Sequence, residues 1–336
     1  MSTTHIQALA ILATCRRYAT GQTAGSKGAI VNVSPVTPHH AASRNTKIAT
    51  QSRKAHSSAA VVDELTVCVG GQPMRILTSG HGRPLLLCHG FLSSAEEFGG
   101  RFTELAEHRQ LIVPDLPGNG GSAPLAGRHT VDSLAASLDE LLLRMGIVEF
   151  DVAGLCLGAS VACALAQRCG DRIDRLMVHT PLIAPALLRP FYRAQVRVMT
   201  IPTIWRGVVA LSRQRTVSNL YKRFIIAEGD IDQRTAQANF DNQLRVNTAA
   251  AREWLRDGIQ NEGLRTLLAR ARPTLIIVAE NDHMVDTARL HRLIGERPNI
   301  RLVVDREQGH GWNREAVQRQ LGVMQEFFGE GVAVAA

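Results

Sequence analysis

Nine residues, "VAGLCLGAS" from Val152 to Ser160, carry the first readable architecture in this chain. An apolar run beginning at Phe150 leads into Gly154, Cys156 and Gly158, and an alanine-rich segment of helical character follows. A strand that turns sharply into a helix needs glycine on both sides of the turn residue. The turn strains the backbone and draws strand and helix so close that side chains there would collide. The apical residue then projects at a helix N-terminus, where the helix dipole favours an anion. Cys156 holds that apex, so the stretch reads as strand, tight turn with an exposed nucleophile, and helix.

On either side, short apolar runs alternate with helix-length segments. "LTVCV" and "MRILT" predict a first hairpin, and "RPLLLCHG", "QLIVPD", "EFDVAG" and "RLMVHT" have the length and punctuation of buried strands. Helical patterns fall between them at Ser94 to Glu107, Val131 to Met145 and Ala159 to Cys169. This alternation predicts an α/β architecture, a mostly parallel twisted sheet with helices on both faces. After "VHTP" the rhythm stops until "PTLIIVAEND" and "NIRLVVD" restore it. An insertion of that length is too long for a loop and predicts a helical cap, placed where ligands of such sheets bind, beyond the carboxyl ends of the strands. The expected division is a core of residues 63–180 and 273–336 and a cap of residues 181–272, preceded by residues 1–62.

The chain has 336 residues and a net charge of +8. Residues 1–62 hold Arg16, Arg17, Lys27, Arg44, Lys47, Arg53 and Lys54 and no acid, so they carry nearly all of that excess. The body is close to neutral, and its charge gives no case for a nucleic-acid partner. The first segment, rich in Ser, Thr and Ala, reads as a disordered basic tail or an organellar transit peptide. Its two readings correspond to a cytoplasmic protein or a mitochondrial-matrix protein after presequence removal. No stretch approaches the roughly 20 apolar residues of a membrane span. The six cysteines, at 15, 68, 88, 156, 163 and 169, form no CxxC pair and no disulfide-scaffold pattern. Metal-ligand spacing is absent too, so no cofactor is expected. Cys88 inside a strand, and Cys163 and Cys169 on the helix after the turn, read as buried small residues.

Five motifs lie in order at expected strand ends: "HGF" (His89 to Phe91), "DLPGNGGS" (Asp115 to Ser122), "GLCLG", "AENDHMVD" and "GHGW". In these the chain resembles the α/β-hydrolase superfamily over residues 63 to 330, and its elbow is similar to that of the dienelactone-hydrolase branch, which lacks a cap of this size. The resemblance implies Cys156 as nucleophile, Asp282 as the acid and His310 as the base, with an oxyanion hole from the backbone N–H groups of Phe91 and Leu157. Asp286 and Glu280 are rival acids, and His283 reads as a neighbour. His89 reads as shaping the oxyanion loop and Asp115 and Ser122 as organising a turn, while Asn119 is expected to face the substrate.

A cysteine nucleophile forms an acyl thioester, which amines and alcohols attack as well as water. The leading expectation is a hydrolase or thioesterase acting on a small-molecule ester, lactone or acyl thioester. An acyltransferase or cyclase using the same intermediate is the alternative, and a non-catalytic ligand-binding relative the third. From Pro181 to Ala227 the cap carries Arg189, Arg193, Arg197, Arg206, Arg213, Arg215, Lys222 and Arg223 and no acid. This reads either as a solvated face or as a docking surface, through Arg193 and Arg197, for a substrate borne on an acyl carrier or coenzyme A.

Overall fold

Period-2 alternation sorts the apolar strand residues between two cores. Leu86, Cys88, Ile112, Val152, Val178, Ile276 and Val278 bury on one face of the sheet. Their sequence neighbours Leu85, Leu87, Leu111, Val113, Ala153, Met177, Leu275 and Ile277 bury on the other. Both faces are therefore covered, as a parallel sheet requires. The structure is a computed structural model and describes residues 62–99, 102–221, 233–280 and 282–329. Strands β1 (Val62–Val69), β2 (Gln72–Ser79), β3 (Arg83–Cys88), β4 (Arg109–Pro114), β5 (Phe150–Leu155), β6 (Ile173–His179), β7 (Thr274–Ala279) and β8 (Ile300–Asp305) form one sheet. Their order is β1-β2-β4-β3-β5-β6-β7-β8. β1 pairs antiparallel with β2, and β2 with β4; every later pair is parallel.

Helix α1 (Glu96–Gly99) is one turn long, and a separate 3₁₀ segment spans Thr103–Glu107. The continuous helix expected from Ser94 to Glu107 does not form. Gly99 and Gly100 sit in its middle, and each costs about 1 kcal/mol in a helix interior. The other two expected helices form, as α2 (Val131–Arg144) and α3 (Gly158–Cys169). Helix α2 starts at a capping box, in which Thr130 and Ser133 satisfy each other's backbone N–H groups.

Between β6 and β7 the described chain forms a 3₁₀ turn (Pro185–Leu187) and helices α4 (Pro190–Met199), α5 (Pro202–Ser212), α6 (Arg215–Tyr221), α7 (Gln233–Gln243), α8 (Thr248–Gly258) and α9 (Gly263–Ala269). Proline opens α4 and α5, where a missing N–H costs nothing. Asn247 caps α8 by accepting from the N–H groups of Ala249 and Ala250. This insertion is called the cap below. Helices α10 (Thr287–Ile294) and α11 (Arg314–Gly329) complete the chain. Among the described residues no helix is long and apolar enough to cross a membrane. The basic N-terminal segment, with the two compartments read from it, lies outside the described residues except for its last position, as do Lys222 and Arg223.

Candidate active site

The carboxyl ends of five adjacent parallel strands supply the site. β3 runs into His89-Gly90-Phe91, β5 into Cys156, β6 into Thr180, β7 into the loop bearing Asp282, and β8 into the loop bearing His310. Cys156 has φ +55°, a left-handed conformation that costs energy for a non-glycine residue. Three backbone hydrogen bonds hold it there. Its N–H donates to the His179 carbonyl (2.9 Å), and its own carbonyl accepts from Ala159 (3.2 Å) and Leu182 (3.1 Å).

Both flanking glycines are required by contact. A Cβ on Gly154 would stand 2.5 Å from the Gly158 carbonyl oxygen and 2.7 Å from the Ala159 Cα, and one on Gly158 would overlap the carbonyls of Cys88 and His89. The elbow thereby leaves Cys156 half-buried at the seam between the two cores.

His310 and Asp282 meet although 28 positions separate them. Nδ1 of His310 donates to Oδ2 of Asp282 at 2.8 Å, with 2% and 0% of the residues exposed. Oδ1 of Asp282 accepts from the N–H groups of Met284 (2.7 Å) and Val285 (3.0 Å), which orients the carboxylate. Burial works against both charges, but it is outweighed. The imidazolium and the two N–H groups hold the Asp282 pKa below its ordinary value, and Asp282 and the Cys156 sulfur hold that of His310 well above its own. Nε2 of His310 is buried and takes no hydrogen bond. The Cys156 sulfur adds to the rise in the His310 pKa, so thiol and imidazole act as neighbours.

The rival acids are occupied elsewhere. Asp286 caps α10 through the Arg289 N–H, and Glu280 pairs with Arg306 at 3.7 Å. His283 is exposed. His89 is buried, accepts from the Leu116 N–H at Nε2 (2.9 Å) and donates from Nδ1 to the Gly90 carbonyl (2.8 Å), which fixes the loop carrying Phe91. Asp115 anchors its turn by accepting from the N–H groups of Ala95 and Gly121, both at 2.8 Å, and by pairing with Arg75 at 2.9 Å. Ser122 accepts from the Arg75 N–H.

Asn119 spends its amide N–H groups on the carbonyls of Leu116 and Pro117, while its Oδ1 is buried without a partner. No hydrogen bond among the described residues joins it to Cys156 or His310. Arg193 is half-buried and Arg197 exposed, both on α4. Arg189 serves the core instead: its Nε donates to the Asp282 carbonyl at 2.6 Å, and its N–H to that of Met284 at 2.9 Å. Cys88 and Cys163 are buried, which pushes each thiol up to about 12.

Two features behind and above the site escape sequence reasoning. The first is a buried polar chain, with a branch from Gln320 to Asp305. Trp312 donates to Gln320 (2.6 Å), Gln320 to Gln308 (2.8 Å), Gln308 to Nε2 of His179 (3.2 Å), His179 to Thr180 (3.1 Å), and Thr180 to the His310 carbonyl (2.7 Å). Burial and the nearby His310 charge push the His179 pKa down to about 3, which keeps it neutral and able to accept from Gln308. The only sequence signal is polar residues within "VHT" and "EQGHGW", at the ends of apolar runs.

The second is the cap helix α8. Trp254 lies 6.2 Å from Phe91 and 6.3 Å from His89, ring to ring. Four residues further on, Gly258 packs on Leu157 so closely that a Cβ would overlap it. The i, i+4 face of α8 therefore covers both residues expected to form the oxyanion hole. The indole N–H of Trp254 is buried and unpartnered. Among the described residues no group of three or more His, Cys, Asp or Glu side chains is placed to hold a metal ion.

A sheet of this order, an elbow at the end of β5 and a His–Asp pair on the loops after β7 and β8 define an α/β-hydrolase. The sequence profile of the alpha/beta hydrolase fold matches residues 83–312, and the chain belongs to that family. An esterase from Exiguobacterium antarcticum shares the fold at a TM-score of 0.66 and 15% identity, over 78% of this chain and 98% of that one. A pimeloyl-[acyl-carrier protein] methyl ester esterase of Xanthomonas campestris pv. campestris (strain B100) is 26% identical over 260 residues, 70% of this chain and 91% of that protein. A soluble epoxide hydrolase of Corynebacterium sp. (strain C12) is 34% identical over 111 residues, and this alignment spans 33% of the present chain and only 38% of that relative.

Proposed function

We propose that the protein is an esterase-type hydrolase that cleaves a small-molecule ester, lactone or acyl thioester through an acyl-enzyme on Cys156. The observation that carries this reading is the pairing of a strained, three-times-bonded Cys156 with a buried His310 whose Nδ1 is bound to Asp282 and whose Nε2 is left unpaired. Asp282 fixes the tautomer and stabilises the imidazolium. His310 accepts the thiol proton at Nε2, the sulfur forms a bond to the acyl carbon, and the carbonyl oxygen becomes an oxyanion.

The N–H groups of Phe91 and Leu157 receive that oxyanion, and among the described residues neither donates to a protein acceptor. Collapse of the intermediate breaks the bond to the leaving group, which takes the proton from His310. Water, deprotonated by His310, then attacks the thioester and releases the acid, and the thiol recovers its proton. The carrier-linked ester named in the Xanthomonas relative supports an acyl group delivered on a phosphopantetheine arm or coenzyme A.

Intact-mass spectrometry of the protein with a short-chain acyl thioester, followed by peptide mapping, tests the reading. An adduct on Cys156 that decays in water is the expected result. An adduct stable until an amine or alcohol is added would replace hydrolysis by transfer, and an adduct on another residue would remove Cys156 from the mechanism.

A further inference from the structure

Helix α8 has a second face. Arg252 and Arg256 stand one turn apart on it, and with Arg197 of α4 they line an open cavity of about 430 Å³ between α4, the start of α5 and the end of α8. Thr200, Ile201, Pro202, Ile259 and Gln260 also line it, and no carboxylate is among the described lining residues. None of the three arginines makes an ion pair among the described residues. Like charges at i, i+4 repel weakly, and an anion bound between them would relieve that repulsion. Arg197 and Arg256 close the last turns of their helices, where a cation is favoured in any protein. That preference does not require the two turns to share one cavity with Arg252 between them.

Arg252 is also held in place. Its Nε donates to the Thr200 carbonyl at 2.6 Å, which leaves its terminal nitrogens for a ligand. The volume suits an organic molecule rather than a bare inorganic ion, and Ile201, Pro202 and Ile259 offer it an apolar floor. Three guanidinium groups match a ligand with more than one phosphate. The cavity also adjoins the elbow. Ile259 of its wall follows Gly258, which packs on Leu157, the neighbour of Cys156. This path keeps the wall within roughly 15 Å of the Cys156 backbone.

We infer that this cavity is a binding site for the diphosphate-bearing head of a coenzyme-A-type acyl thioester. The inference rests on the acyl-enzyme reading for its purpose, but not for its test. Titration calorimetry of the full-length Cys156→Ala protein with coenzyme A, at low salt, is expected to give saturable one-to-one binding. Arg197→Gln and Arg256→Gln change exposed side chains, so the variants fold, and each is expected to weaken binding roughly tenfold. Arg206→Gln, on the outer surface of α5, is expected to stay within about twofold, because screened surface charge contributes little. 4′-Phosphopantetheine, which lacks the diphosphate, is expected to bind at least tenfold more weakly.

Absence of saturable binding would overturn the site, as would an equal loss in Arg206→Gln, which would reduce it to diffuse charge. Equal affinity for 4′-phosphopantetheine would overturn the diphosphate assignment in favour of a carrier-borne arm. Calorimetry reads the cavity and mass spectrometry reads Cys156, so either reading can fail while the other stands.

Discussion

The two halves of the site are built on different terms. In the core, β3, β5 and β7 are almost wholly buried, and the groups around Cys156 and His310 are tied by hydrogen bonds running through at least three strand ends. In the cap, α4 buries only Tyr192 and Val196 and α5 only Trp205, while Phe191 is 81% exposed. Reacting groups must be held to within a fraction of an ångström, which dense packing provides. Within the cap the support differs: α4 and α5 bury few side chains, while α8 and α9 are tied to the core, with Trp254 and Gly258 over Phe91 and Leu157, Glu253 and Asp257 accepting from the N–H groups of His129 and Val131, and Gly263 against Cys163.

Substitutions in the core should be severe and those in the cap graded. Cys156→Ala is expected to lower turnover on the order of 10⁴-fold or more and abolish stoichiometric alkylation. Its melting temperature should barely move, because the backbone hydrogen bonds at the elbow survive. Residual alkylation elsewhere with retained turnover would break the contrast at its strongest point.

Asp282→Asn should cost roughly 10³- to 10⁴-fold in kcat by releasing the His310 tautomer. The same variant tests the pH dependence of stability. The pKa of Asp282 is lowered by folding, so its contribution is present above its unfolded value and lost as pH falls through the folded one. That of His310 is raised, so its contribution is full below its unfolded value and lost as pH rises through the folded one. Thermal denaturation across pH should show both limbs in the wild type and a flatter curve in Asp282→Asn.

Glycines sharpen the comparison. Gly158→Ala drives a methyl into the carbonyls of Cys88 and His89, and a loss of about 3 kcal/mol in chemical denaturation is expected. Trp254→Phe removes the unpartnered N–H together with one ring of a fully buried indole. It should reduce kcat/KM roughly tenfold through loss of that donor and cost about 1–2 kcal/mol in chemical denaturation through the cavity left behind. Gly207 lies inside α5 with nothing within 4 Å of an added Cβ. Gly207→Ala should therefore raise stability by up to about 1 kcal/mol and leave turnover alone.

Much of the core was open to reading along the chain because its rules are local. Alternation set the strands and their two faces, and Gly154-x-Cys156-x-Gly158 marked the elbow. The motif order pointed to Asp282 and His310, which the structure brings to 2.8 Å. The helix from Ser94 to Glu107 went wrong for an equally local reason, a glycine pair given too little weight. The sequence by itself thus determined the sheet, the sharp turn and the residue types at the strand ends, since each depends on propensity and sterics within a few residues. Only the tertiary structure decided that His179 and Gln308 would line up behind His310, that Trp254 would roof the oxyanion loop, and that Arg252 and Arg256 would share a cavity with Arg197. Those contacts join residues separated by tens to more than a hundred positions, and burial and charge act through space without regard to chain order.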